Sequence, residues 1–178
     1  MKRFAITVKA VTLILLVFMS AQLVAQDQLR DYELKAVLIY KLAKFVTWPE
    51  DSGTTFNICV YGQNPFGEAL DKLTGELVNN QPITIRYRSR ITTDLNDCNV
   101  LFIATSANGH LNRILLATSY SPVLTISDIQ NFASFGGMIE LTNANQQIGF
   151  RINVKAAKAV ELNIASPLLE LATIVGGR

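Results

Sequence analysis

The chain has 178 residues, of which 49% are hydrophobic and 17% charged, with a formal net charge of +2. That length fits one domain with a real core. The near balance of 16 basic and 14 acidic residues, without a Lys/Arg cluster, leaves no electrostatic footprint for nucleic acid or for an anionic membrane surface.

Residues 1–25 have the layout of a secretory signal. Lys2, Arg3 and Lys9 precede an apolar run from Ala10 to Met19, and the small and polar stretch Ser20–Ala25 follows. The run meets Ser20 and Gln22 before reaching the roughly 20 apolar residues of a spanning helix, so cleavage after Ala25 is expected, with an uncleaved anchor as the other reading. Cleavage removes three basic residues and no acidic one, leaving a slightly acidic mature chain, residues 26–178, expected as a single domain with no stable membrane insertion.

In the mature chain, Leu34, Val37, Leu38, Leu42, Phe45 and Val46 recur at three and four, predicting a helix over 29–48 with that face buried and Pro49 as its stop. A strand follows at 56–61. It runs into Gly62-Gln63-Asn64-Pro65-Phe66-Gly67, where Asn64 can cap and Pro65 can open a short helix ending near Leu73. Residues 82–87 are a second strand, and Val100–Ala104 is apolar enough for a central one. Ser106 or Asn108 is expected to start a helix with Leu111, Ile114 and Leu115 inward, before a fourth strand at 123–126. A short helix is expected from Asp128 to Phe135. A hairpin then pairs 138–142 with 147–152, with Glu140 and Arg151 pointing out. One helix carries Ala156, Ala157, Val160 and Leu162, and a last one starts at Ser166 as cap and Pro167, runs through Val175 and ends at Gly176-Gly177. Alternating strands and helices predict an α/β fold: a three-layer α/β/α sandwich with a central mixed, largely parallel sheet and a C-terminal hairpin.

Cys59 and Cys98 are the only cysteines, and in an exported chain a disulfide is expected, against two buried thiols as the alternative. Closing a loop of about 40 residues stabilises by roughly 4 kcal/mol on the chain-entropy estimate. No CxxC motif supports a thiol oxidoreductase. The single histidine, His110, lies in a predicted helix and no G-x-S-x-G occurs, while Ser106, Ser121, Ser127 and Ser166 sit at element boundaries where capping is the commoner duty. Neither an H-E-x-x-H nor a calcium loop is present, and Glu50, Asp51, Asp94 and Asp97 read as solvated caps, so no catalytic group, metal or cofactor is expected. Gly62, Asn64 and Gly67 form a candidate ligand turn, though a tight connection explains them as well. Trp48 beside Pro49 is a candidate partner contact or a core-edge ring.

Read together, the stretches 36–49, 56–67, 101–104, 124–128, 136–141 and 148–153 resemble the YfiR family in order and spacing, over nearly all of residues 30–175. The resemblance implies a periplasmic protein of Gram-negative bacteria, often dimeric, whose characterised namesake restrains an inner-membrane diguanylate cyclase by binding its periplasmic part. Relatives differ in their cysteines. The pair at 59 and 98 is retained here, whereas Phe132–Phe150 contains none, so a second disulfide of that region is absent. The expected function is that of a noncatalytic regulator, a repressor of an inner-membrane sensor or diguanylate cyclase. The alternative is a periplasmic small-ligand-binding protein or hydrolase using the turn at Gly62–Gly67 with His110.

Overall fold

The computed structural model describes residues 29–49, 53–88, 95, 97–144 and 147–176; the expected leader and its processing site lie outside them, as do Glu50, Asp51 and Asp94. Residues 29–44 form helix α1. Its buried face is Ala36, Ile39, Leu42 and Ala43, which corrects the expected stripe: Leu34, Val37 and Phe45 are exposed and Leu38 only partly buried. The rotation follows from packing, since small alanines let the helix lie close on the sheet. The helix also ends sooner than expected. Val46–Thr47 form β1, paired antiparallel with β9 (Asn163–Ile164). A β-branched pair takes a strand when a distant segment offers partners.

The main sheet contains eight strands: β2 (Phe56–Tyr61), β3 (Leu77–Val78), β4 (Gln81–Arg88), β5 (Val100–Ile103), β6 (Leu124–Ser127), β7 (Ile139–Ala144), β8 (Gln147–Asn153) and β10 (Thr173–Val175), in the order β10-β8-β7-β6-β5-β2-β4-β3. Only the β7–β8 and β3–β4 neighbours are antiparallel. The α/β class, the mixed, largely parallel sheet and the C-terminal hairpin are therefore as expected. The sheet curls as a half-barrel, however, and departs from a flat three-layer sandwich.

Alternation along the central strands builds two cores. Ile58, Val60, Val100 and Phe102 join α1's inner face; Cys59, Tyr61, Leu101 and Ile103 join Leu111 and Ile114 of α2 (Leu111–Thr118) on the other side. The segment after β2 returns over the first face through Phe66 and Leu70. That after β5 leaves over the second through Ala107 and Leu111.

Other expectations are corrected. Residues 65–70 are turns, with only Asp71–Leu73 a 3-10 helix. A 3-10 turn at Thr105–His110, with Ala104 at its cap position and no side-chain cap bond, leads into α2, so neither Ser106 nor Asn108 caps it. Residues 128–136 contain turns and no helix. Glu140 is the reason: it is 3% exposed rather than outward-pointing, and its carboxylate accepts from the backbone N–H groups of Asn131 (3.0 Å) and Ala133 (3.2 Å). At the C-terminus, α3 (Val154–Lys158) is followed by α4 (Ser166–Leu171), whose cap position is Ala165 rather than Ser166. The chain then extends as β10 beside β8, because Thr173-Ile174-Val175 is a β-branched run.

Candidate functional site

The carboxyl ends of the parallel strands gather most of the polar chemistry. Lys35, on the inner side of α1 and 6% exposed, sits between two carboxylates: Asp31 Oδ2 at 2.7 Å, one turn earlier, and Asp128 Oδ2 at 2.8 Å, just beyond β6. Tyr32 Oη donates to the same Asp128 oxygen at 2.8 Å, and Thr105 Oγ1 to its other oxygen at 3.0 Å. Burial pushes the Asp128 pKa up, but the bonds from Lys35 and Tyr32 with the Lys35 charge outweigh it and hold the carboxyl below the usual range. Burial and the Asp128 hydrogen bond push the Tyr32 phenol far above its ordinary value. Asn143 Nδ2 completes the cluster by donating to Asp31 Oδ1 at 3.0 Å. The Asp31–Lys35 spacing of four was its only sequence signal.

The candidate ligand turn divides. Gly62, at φ +103°, faces Ser106: a Cβ there would lie 2.8 Å from Ser106 Oγ, which accepts from the Gln63 N–H at 2.9 Å. Asn64 and Gly67 are used locally, Asn64 Oδ1 accepting from the Phe66 N–H and Nδ2 donating to the Gly67 carbonyl, both at 2.9 Å. An open groove of about 350 Å³ runs between Tyr61-Gly62-Gln63 and Ser106-Ala107, reaching His110. On the other side of His110 a second groove, about 510 Å³, extends along Asn112 and Arg113 to Phe135. No hydrogen bond joins Ser106 to His110 among the described residues, so no nucleophile–base pair is assembled there.

The chain's two cysteines form the disulfide Cys59–Cys98, with a Cα–Cα distance of 5.8 Å. Asp97 beside it is ion-paired rather than simply solvated, to Arg86 at 2.6 Å and to Arg88. Cys59, Asp97 and Cys98 cluster tightly, but sulfurs bonded to each other are not thiolate ligands. Trp48 is half-buried at the rim of the first core, edge-on to Phe56 with centroids 5.0 Å apart, and its buried Nε1 donates to no group among the described residues.

The sequence profile of the YfiR/HmsC-like family matches residues 32–173, from the first turns of α1 to the start of β10. The chain belongs to the YfiR/HmsC-like family. A search among curated proteins returns no match. YfiR/HmsC-like proteins are periplasmic regulators, and this is a periplasmic regulatory protein. Among the described residues no helix is long and apolar enough to cross a membrane. In this YfiR/HmsC-like chain the apolar surface left outside both cores includes Leu34 (61% exposed) and Val37 (46%) on α1, Phe45 (44%) just after it, and Leu171 (78%) on α4.

Proposed function

We propose that this YfiR/HmsC-like protein, processed after Ala25 into a single domain of residues 26–178, is a noncatalytic repressor that binds the periplasmic domain of an inner-membrane signalling protein, a diguanylate cyclase in the first instance. The observation that carries the reading is the family match over 32–173, which takes in nearly all of the described fold. The exposed apolar residues of α1 support it, because a regulator needs surface that its own fold leaves unburied. The contact is assigned to that outer face, with Trp48 behind it at the rim of the core.

The mechanism is a population shift. A repressor lowers cyclase output only by binding the inactive conformation of its partner more tightly than the active one, and equal affinity for both would change nothing. The small-ligand or hydrolase alternative called for a closed polar pocket joining the Gly62 turn to His110. The groove found there is open, and its serine and histidine are not hydrogen-bonded to each other, which speaks against a hydrolase, whereas ligand binding in an open groove is compatible with a regulator.

Periplasmic crosslinking followed by affinity capture from native membranes, paired with cyclic di-GMP measurement after deletion, tests the proposal. Recovery of a cyclase and a rise in cyclic di-GMP are expected. Failure to recover any membrane partner, with unchanged cyclic di-GMP, defeats it. Replacing His110 should leave capture intact; a selective loss of substrate turnover on that change would move the assignment to an enzyme.

A further inference from the structure

The two grooves that meet at His110 lie where the topology opens a crevice. β2 is flanked by β4 on one side and β5 on the other. The chain leaving β2 turns over the first face, where Phe66 and Leu70 are buried, and the chain leaving β5 turns over the opposite face, where Ala107 and Leu111 are buried. Connections that part in this way leave a gap beyond the carboxyl ends of the two strands, the place where open α/β sheets take their ligands.

The wall of the gap is fixed. Gly62 is pressed against Ser106 so closely that a methyl group would collide, and the Gln63 N–H to Ser106 Oγ bond ties the two loops together. Its volumes, about 350 and 510 Å³, fall within the roughly 300–1,000 Å³ of small-molecule sites. Arg113 is the one fully charged residue of the described lining. The described lining includes the His110 imidazole and the Arg113 guanidinium but no carboxylate. No side-chain hydrogen bond or ion pair engages either group among the described residues. At the far end Phe135, 62% exposed, offers an aromatic face with no ring partner among the described residues.

We infer that this crevice is a binding site for a small organic anion, its acid group held by His110 and Arg113 and its flat apolar body laid against Phe135. The site does not depend on the cyclase reading, and it opens away from the α1 face assigned to the protein partner.

The test uses ¹⁵N-labelled protein isolated from the periplasm and titrated with benzoate, phenyl phosphate, inorganic phosphate and benzyl alcohol, following amide shifts. Benzoate or phenyl phosphate should saturably shift Gly62, Gln63, Ser106 and Arg113, at least tenfold more tightly than benzyl alcohol. Which of the two anions binds better distinguishes a carboxylate ligand from a phosphate ester. His110→Ala/Arg113→Ala should weaken the better anion at least tenfold; Arg113→Glu, a single change at an exposed helix position, should do the same with an unchanged unfolding midpoint. The inference is overturned if neither aromatic anion saturates these amides or if benzyl alcohol binds equally well. It is likewise overturned if inorganic phosphate matches phenyl phosphate in a phosphate-preferring site, or if Arg113→Glu leaves affinity intact.

Discussion

Replacing Asp128 tests how α1 is held on the sheet. Its side chain is 9% exposed and lies 2.8 Å from Lys35, itself 7% exposed. Breaking a buried pair by removing one partner costs about 3–5 kcal/mol, because the other charge is left uncompensated. Asp128→Asn does not strand Lys35 completely, since Asp31 remains at 2.7 Å with 21% exposure, so the expected loss is about 2 kcal/mol, below the full-break range. Lys35→Met leaves Asp31 and Asp128 facing each other without the cation and should cost more, about 3–4 kcal/mol. The pair Lys35→Met/Asp128→Asn removes both charges of that contact and should cost less than the two single changes added, by about 2 kcal/mol.

The pH dependence has a fixed sign. Because the folded-state pKa of Asp128 is lowered from 3.8, its ionised form contributes stability that is fully present well above that value and is lost as pH falls through the folded pKa. Urea unfolding at pH 7 and at pH 2.5 reads this directly. The deficit of Asp128→Asn should shrink at the lower pH, where wild type is losing the same contribution. Strictly additive single and double changes, or a deficit that does not change between the two pH values, would refute the latch.

Removing the disulfide with Cys59→Ala/Cys98→Ala opens a loop of sequence separation 39. The expected cost is about 4 kcal/mol, seen as a fall in Tm of roughly 10 °C in a thermal scan. Gly137→Ala places a Cβ 2.2 Å from the ring of Phe132, which is fully buried; a loss of about 3 kcal/mol in chemical unfolding is expected, because the ring has nowhere to move. Val37→Asp or Phe45→Glu should change unfolding stability by no more than about 0.5 kcal/mol while removing membrane-partner capture in the crosslinking assay.

Much of the fold was legible because its strands are short and strongly patterned. The strands at 56–61, 100–103 and 124–127 stand within a residue or so of where alternation and apolar runs put them. Two of the misses share one physical cause, pairing with distant segments. Val46–Thr47 and Thr173–Val175 read as helix continuations until β9 and β8 are there to pair with them. The β3–β4 hairpin was not foreseen, although Asn79 and Asn80, at φ 51° and 65°, are the residue type that such a turn favours. In the crevice, Gly62 and His110 were read as a candidate pair, and the structure does line one groove with both. Arg113 and Phe135 carry no local motif, and only the turn at 128–136, pinned by Glu140, brings Phe135 alongside.

Helix α1 buries apolar side chains on one face and leaves others exposed on the opposite face. Its inner face combines Ile39 and Leu42 with the small Ala36 and Ala43 and accommodates a charged Lys35, whereas Leu34 and Val37 on its outer face, and Phe45 just past its end, are exposed. Rotating the helix to bury Leu34 and Val37, each worth about 1.5–3 kcal/mol, would expose Ile39 and Leu42, which are worth as much. Two features oppose it. Small residues permit close approach to strands filled by Phe56 and Phe102, and the Asp31–Lys35–Asp128 cluster fixes the azimuth, because turning the helix would withdraw a buried cation from its two carboxylates. The polar cluster therefore acts as an orienting device more than as a source of stability, the role best attested for buried ion pairs. Its consequence is a helix held with Leu34 and Val37 toward solvent, the presentation that the proposed periplasmic partner requires.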